Sequence, residues 1–260
     1  MNVLMVGDVV GEAGCAYASK MLPRLRREYA ADAVIVNGEN AAPEGTGITA
    51  QAAQMLFSAG ADVITTGNHC FRRRNESLFE ENERILRPAN YPEGTAGHGI
   101  CTLDLGRSRL AVVNLMGTAF MEALDNPFSV ADQLLKTIDT PCILVDFHAE
   151  ATAEKRSMGY YLAGRVSAVI GTHTHIQTAD EELIDGKTAY LTDVGMVGAQ
   201  RSVLGVTVEQ AIAKQRFHVP IGFTAASGPC VLGAVCLSID SKTGESYKIQ
   251  RAFLKEMTNQ

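Results

Sequence analysis

No cysteine framework runs through this sequence. Its six cysteines (Cys15, Cys70, Cys101, Cys142, Cys230, Cys236) are scattered, with no Cys-x-x-Cys pair. That argues against a disulfide-stapled scaffold and fits reduced, mostly buried thiols in a cytoplasmic protein. Long apolar runs are missing too. None approaches the roughly 20 residues that a membrane helix needs, so no membrane partner is expected. Met1 leads straight into a predicted strand, which leaves no room for a signal peptide. Basic residues are the minority, 23 Lys and Arg against 29 Asp and Glu. The resulting net charge of −6 argues against a broad nucleic-acid surface and leaves room only for a local RNA contact. The glycines of Gly7 to Gly14 make no Walker loop, because no Gly-Lys-Ser/Thr follows them. With no internal repeat, low-complexity tract or linker, residues 1–260 read as one domain. Tryptophan is absent, which excludes nothing.

What is present is an ordinary globular composition, 46% hydrophobic and 20% charged, in a chain long enough for a well-buried core. Strands and helices alternate at first. Strand Asn2 to Val6 precedes a helix near Ala16 to Tyr29, Ala33 to Val36 precedes a helix near Ala50 to Ala59, and Val63 to Thr66 precedes a helix near Glu76 to Leu86. Gly99 to Leu105 and Arg109 to Asn114 then read as a hairpin across Gly106-Arg107-Ser108. Strand Cys142 to Asp146 and a helix near Thr152 to Leu162 resume the alternation, and Val166 to Ile170 is a further β-branched run. The tail is strand-rich: Ala189 to Thr192, Cys230 to Ile239 and Tyr247 to Phe253, with Asp240 to Glu245 as a turn. This order predicts two packed sheets with helices outside. Val194 to Ala226 fits no strong period and is expected to be a rim or cap over the active site.

Polar groups end the apolar runs. Gly7-Asp8, Asn37-Gly38-Glu39-Asn40, Gly67-Asn68-His69 and Gly171-Thr172-His173-Thr174-His175 each follow a β-branched stretch, as does His148. In an α/β sheet the carboxyl ends of strands share one edge, where ligands bind. Carboxylate, amide and imidazole together make the ligand mixture for two adjacent ions of borderline hardness, and iron, manganese or zinc all suit mixed oxygen and nitrogen ligation. Taken alone, Asp8 is a loop cap or a ligand, Asn37 to Asn40 a turn, and each histidine more often structural than ligating. Five such groups on strand ends shift that balance. His173-x-His175 is the most specific of them, since i and i+2 of an extended segment share a face. Asp193 is a candidate partner for a ligating histidine. Arg72-Arg73-Arg74 is either a solvated turn or a phosphate contact, and His98 and His218 carry little weight.

As an ordered set these blocks resemble the calcineurin-like metallophosphoesterase superfamily, and within it the YmdB-like group of 2′,3′-cyclic-nucleotide 2′-phosphodiesterases, across nearly the whole chain. The resemblance implies a four-layer α/β/β/α sandwich with two metal ions, iron or manganese, at the sheet edge. It places Asp8, Glu39, Asn40 and His175 around one ion and Glu39, Asn68, His148 and His173 around the other, with Glu39 bridging. It makes His69 the catalytic proton donor. Two departures from the superfamily stand out. Asp8-Val9-Val10 lacks the histidine usual two residues after the aspartate, a vacancy Asn40 would fill. Cys70 stands where an acid usually follows Asn-His, so Asp146 or another acid would orient His69. The expected activity is hydrolysis of 2′,3′-cyclic nucleotides to 3′-nucleotides by metal-activated water. A broader phosphomonoesterase or nuclease on the same site, and a regulatory nucleotide- or RNA-binding protein, are the alternatives. A homo-oligomer is compatible with all three.

Overall fold

The computed structural model describes residues 1–257. Along the chain run β1 (Asn2–Val6), β2 (Asp8–Val9), α1 (Gly11–Glu28), β3 (Ala33–Asn37), α2 (Ala50–Ser58), β4 (Val63–Thr65), α3 (Glu76–Glu80) and β5 (Ile85–Leu86). Next come β6 (Ile100–Asp104), β7 (Arg109–Met116), α4 (Pro127–Leu135), β8 (Ile143–His148), α5 (Thr152–Leu162) and β9 (Ala168–Thr172). The chain ends with β10 (Glu182–Ile184), β11 (Thr188–Leu191), β12 (Met196–Ala199), α6 (Val208–Phe217), β13 (Cys230–Ile239) and β14 (Ser246–Lys255).

The strands form two mixed sheets. One has the order β2-β12-β13-β1-β3-β4-β5, with β14 antiparallel to β13; the other runs β10-β11-β9-β8-β7-β6. The period-two alternation of each β-branched run decides what packs where. In β1, Val3 and Met5 face the other sheet and meet Leu110, Val112, Leu144 and Ile170. Leu4 and Val6 face outward onto Leu22 and Leu25 of α1 and Leu56 of α2. The second sheet repeats the plan, with Val145, Phe147 and Val169 turned toward Met158 and Leu162 of α5. Three apolar layers thus separate four structural ones, the α/β/β/α sandwich that the residue pattern and the resemblance both imply. Parallel pairing of β1 with β3, β3 with β4, and β7 with β8 and β9 sends their carboxyl ends to one edge.

Two sequence expectations change. The helix expected to reach Leu86 stops at Glu80, and Ile85 and Leu86 form β5 instead. Both side chains are fully buried and pair with Ile64 and Thr65 of β4, which no exposed helix end would offer them. The aperiodic stretch 194–226 contains β12, inserted between β2 and β13, and α6. Its Leu204 carbonyl reaches His175. The six cysteines are free, five of them buried and Cys101 half-buried. Among the described residues no helix is long and apolar enough to cross a membrane.

Candidate metal centre

Asp8, Glu39, Asn40, Asn68, His148, His173 and His175 converge where these strands end. Glu39 lies at the middle, 1% exposed. Its Oε1 accepts from Asn40 Nδ2 at 3.0 Å and lies 3.4 Å from His69 Nδ1. Its Oε2 is 3.2 Å from His148 Nε2 and accepts the His69 amide at 3.2 Å. On one side of it stand Asn68 Oδ1, 3.1 Å from His148 Nε2, and His173 Nδ1, 3.0 Å from the same nitrogen. On the other side His175 Nε2 lies 3.3 Å from Asn40 Nδ2 and 3.7 Å from Asp8 Oδ1. Ligand atoms of Glu39, His148 and His173 all fall within 4.8 Å of one another, a grouping that could hold a metal ion.

Gly67 makes this convergence possible. A Cβ there would come within 2.2 Å of His148 Cδ2 and 2.4 Å of Glu39 Oε2, so any larger residue pushes the two donors away. The histidine pair is not extended, contrary to the expectation from i, i+2 spacing. β9 ends at Thr172, and His173 and His175 take φ of 101° and 65°, left-handed values that cost about 1–3 kcal/mol each in non-glycine residues. The turn therefore sends the two rings to opposite sides of Glu39. Asp193 holds it there: its Oδ2 accepts from Thr174 N at 2.9 Å and Thr174 Oγ1 at 2.8 Å, and pairs with the buried Lys155 Nζ at 2.7 Å. Asp193 thus grips the backbone between the histidines rather than either ring.

A relay fixes the tautomer of His148. Thr172 Oγ1 donates to Asp146 Oδ1 at 2.7 Å and so accepts from His148 Nδ1, 2.9 Å away. Nε2 is then the nitrogen that faces the cluster, where a bound cation would take the place of its proton, the orientation of a ligating imidazole. Asp146 also accepts from Thr65 Oγ1 at 2.5 Å and Asn37 Nδ2 at 3.1 Å. It lies beneath His148 and makes no contact with His69. The ring of His69 is placed by Asn40 Oδ1, 2.8 Å from its Nδ1, and by Glu39 Oε1, 3.4 Å from the same nitrogen, so an amide shares the orienting with an acid other than Asp146.

The electrostatics favour a cation. Burial pushes the Asp8 carboxyl up to about 6, an effect that His175 and His148 only partly offset. Its Oδ1 is buried with no hydrogen-bond partner among the described residues, a costly state for a carboxylate oxygen that a bound cation relieves. Burial also acts against the Glu39 charge, but His148 and His69 override it and hold that carboxyl well below its ordinary value. Burial would lower His148, yet Glu39 beside it lifts the ring to about 9. Burial and the neighbouring His148 push His173 down to about 3, which keeps it neutral. Carboxylate, amide and imidazole donors around an orphaned oxygen fit a borderline metal.

The other polar residues fall outside the cluster. His98 is exposed, and His218 caps the end of α6 at φ 54°. Arg73 pairs with Glu44 at 2.7 Å, while Arg72 and Arg74 point to solvent. Thr172, Lys155 and the Leu204 carbonyl, which accepts from His175 Nδ1 at 2.8 Å, are not residues the motifs single out as site members. A buried threonine at a strand end beside two histidines is a usable signal for the first. The Leu204 contact is a backbone one, made from the stretch 194–226 that the sequence expects beside the site.

A four-layer α/β/β/α sandwich with Asp, Glu, Asn and His donors along one sheet edge is a protein of the metallophosphoesterase type. The chain belongs to the YmdB-like protein family, which it matches over residues 4–252. It is 42% identical over 259 residues to the 2′,3′-cyclic-nucleotide 2′-phosphodiesterase of Bacillus subtilis (strain 168), covering 98% of each chain. A hypothetical protein from Thermus thermophilus superposes with a TM-score of 0.94 at 40% identity, over 99% of this chain and 100% of that one. A structure described as a novel phosphatase, from Mycoplasma pneumoniae, gives 0.93 at 31% identity, over 98% and 94%.

Proposed function

We propose that this protein is a dinuclear-metal phosphodiesterase that hydrolyses 2′,3′-cyclic nucleotides to 3′-nucleotides. The observation that carries the proposal is the division of donors about Glu39, whose Oε1 faces Asn40 and whose Oε2 faces His148. Asp8, Glu39, Asn40 and His175 would hold one ion, and Glu39, Asn68, His148 and His173 the other. Iron or manganese suits this mixture, with zinc an alternative. Bound there, the ions would neutralise phosphate oxygens and lower the pKa of water to supply a nucleophile at neutral pH. The substrate class follows from the Bacillus subtilis relative, which shares 42% of its residues over almost the full length.

The chain's own residues do the rest. Water oxygen bonds to phosphorus as the bond to the ribose 2′ oxygen breaks, and the departing oxygen takes a proton from His69. That ring is 26% exposed, the most accessible imidazole of the cluster, as a group that meets substrate must be. Asn40 links the donor cluster to His69. It now offers Nδ2 to Glu39 and His175 and Oδ1 to His69. With Asn40 Oδ1 accepting from Nδ1–H, a doubly protonated His69 ring can give its Nε2 proton to the leaving oxygen and remain a neutral imidazole still held at Nδ1.

The test is hydrolysis of 2′,3′-cyclic AMP by purified protein with added manganese, with the product isomer identified by chromatography. Release of 3′-AMP, reduced at least about 1000-fold in Glu39→Ala, is the expected result, since that variant removes the shared donor. His69→Ala should lower turnover about 100-fold or more while the protein still binds its metal. Metal-dependent turnover that survives in Glu39→Ala, or metal loss in His69→Ala, refutes the respective assignment.

A further inference from the structure

Phe120 is 91% exposed, higher than any other large hydrophobic residue described. Its backbone is left-handed, φ 64°, a conformation that an aromatic residue rarely adopts. The loop that carries the ring is nevertheless fixed. Gly117 N donates to His148 O at 3.0 Å, and the Thr118 and Ala119 amides donate to the Glu154 carboxylate at 2.9 and 3.3 Å. Asn90 Nδ2 ties the two ends of the loop together through Met116 O and Asp125 O, at 2.8 and 3.1 Å. A Cβ on Gly117 would sit 2.3 Å from Glu154 Oε2, so even the start of the loop is closely seated. The ring stands in solvent on a rigid support.

That support borders the cluster on the side of His69. Met116 of β7 pairs with His148, and the next residues lead directly to Phe120. Across the sandwich, Thr66 N at the end of β4 donates to Asn114 Oδ1 of β7 at 3.0 Å, so the loops bearing His69 and Phe120 leave adjoining strand ends. Cys70 Sγ reaches Tyr91 Oη at 3.5 Å, and Tyr91 Oη reaches Glu122 Oε2 at 3.5 Å, linking the same two loops a second time. The apolar hollow of about 570 Å³ beside Leu204 and Phe223 lies instead against His175, toward the other end of the β9-β8-β7 order. In the reaction proposed above, the oxygen protonated by His69 belongs to the ribose, so the nucleoside extends on the His69 side.

We propose that Phe120 is the platform on which the nucleobase of the substrate stacks, and that it selects phosphodiesters carrying a base over those without one. This inference rests on the cyclic-nucleotide reading of the site. Every base has a π face, so such a platform senses the presence of a base more than its identity.

The experiment uses two variants of the full chain loaded with manganese. Phe120→Trp gives the protein its only tryptophan, whose emission reports stacking directly. Saturable quenching by 3′-AMP, and none by ribose 5-phosphate or inorganic phosphate, is expected. In Phe120→Ala the ratio of kcat/KM for 2′,3′-cyclic AMP to that for ribose 2′,3′-cyclic phosphate should fall about tenfold, through KM. That change corresponds to about 1.4 kcal/mol of stacking. Unquenched emission at saturating 3′-AMP, or an unchanged ratio, overturns the inference. An unchanged ratio with an altered molar mass by light scattering overturns it too, and makes Phe120 a contact between copies. A wild-type protein that hydrolyses neither cyclic phosphate refutes the proposed function separately, and the Phe120→Trp titration still decides the role of the ring.

Discussion

Thr172 shows how much of the proposed metal site depends on a residue outside its ligand set. Its hydroxyl has one proton, spent on Asp146, so it can only accept from His148 Nδ1. That makes Nδ1 the donor to Thr172 and leaves Nε2 of a fully buried imidazole facing the cluster, with Asp146 anchored in turn by Thr65 and Asn37. Thr172→Val keeps the shape and removes the acceptor. His148 then loses the partner that fixes its tautomer, and manganese affinity should fall about 10- to 100-fold, the usual penalty for removing an outer partner of a ligating histidine. Thr172→Ser keeps the hydroxyl and should bind within a few-fold of wild type. Calorimetric titration of manganese into the three proteins decides the matter, and equal affinity for Thr172→Val would remove the residue from the site.

At the scale of elements, the close approach of five strand-to-loop junctions is what builds the centre, and Gly67 is where they meet most tightly. Gly67→Ala demands that His148 and Glu39 retreat from an atom 2.2–2.4 Å away. Both are held from behind, by Thr172 and Asn40. A displacement near 1 Å at reacting groups costs about 100-fold in rate, so Gly67→Ala should lose at least that much kcat/KM while its circular dichroism spectrum stays that of wild type. Activity within tenfold of wild type would show that the two donors can yield. The junctions were legible because a β-branched run ending in Gly-Asp, Gly-Glu-Asn or Gly-Asn-His joins a strand signal to a ligand signal. Two-residue strands such as β2 and β5 have too little length to show a period, and β12, four residues with Gly198 among them, looks like loop until β2 and β13 are placed beside it. Helix α4 did have a local signature: Asn126 caps it by accepting from Phe128 N and Ser129 N, with Pro127 in the first turn. The two left-handed histidines and the orienting role of Asn40 had none. Both are set by contacts from residues that are remote in sequence or face the site from another strand.

For the molecule as a whole, three apolar layers in 260 residues leave the thiols without water, and that has a cost at high pH. Burial, with Glu12 adding to it, pushes the Cys15 thiol up to about 12. Burial also pushes Cys70 up to about 12, with the Tyr91 hydroxyl offsetting part of the effect. An unfolded chain ionises its cysteines near pH ~8.5. Below that value both states keep their protons and the thiols do not affect stability. Above it the unfolded state sheds protons that the folded state keeps, so stability falls from about pH 8.5 until the folded thiols ionise near 12. Each thiol contributes a slope of up to about 1.4 kcal/mol per pH unit, and the pair roughly 3 kcal/mol, against a typical total of about 5–15 kcal/mol for a domain. Guanidinium midpoints should therefore drop steeply between pH 8.5 and 10. Cys15→Ala should lower the midpoint at pH 7 through the small cavity it leaves, and should flatten the alkaline slope by one thiol's share, up to about 1.4 kcal/mol per pH unit. A Cys15→Ala profile parallel to wild type from pH 8.5 to 10 would mean that the thiol already ionises in the folded state, and that the layer between α1 and the first sheet admits water.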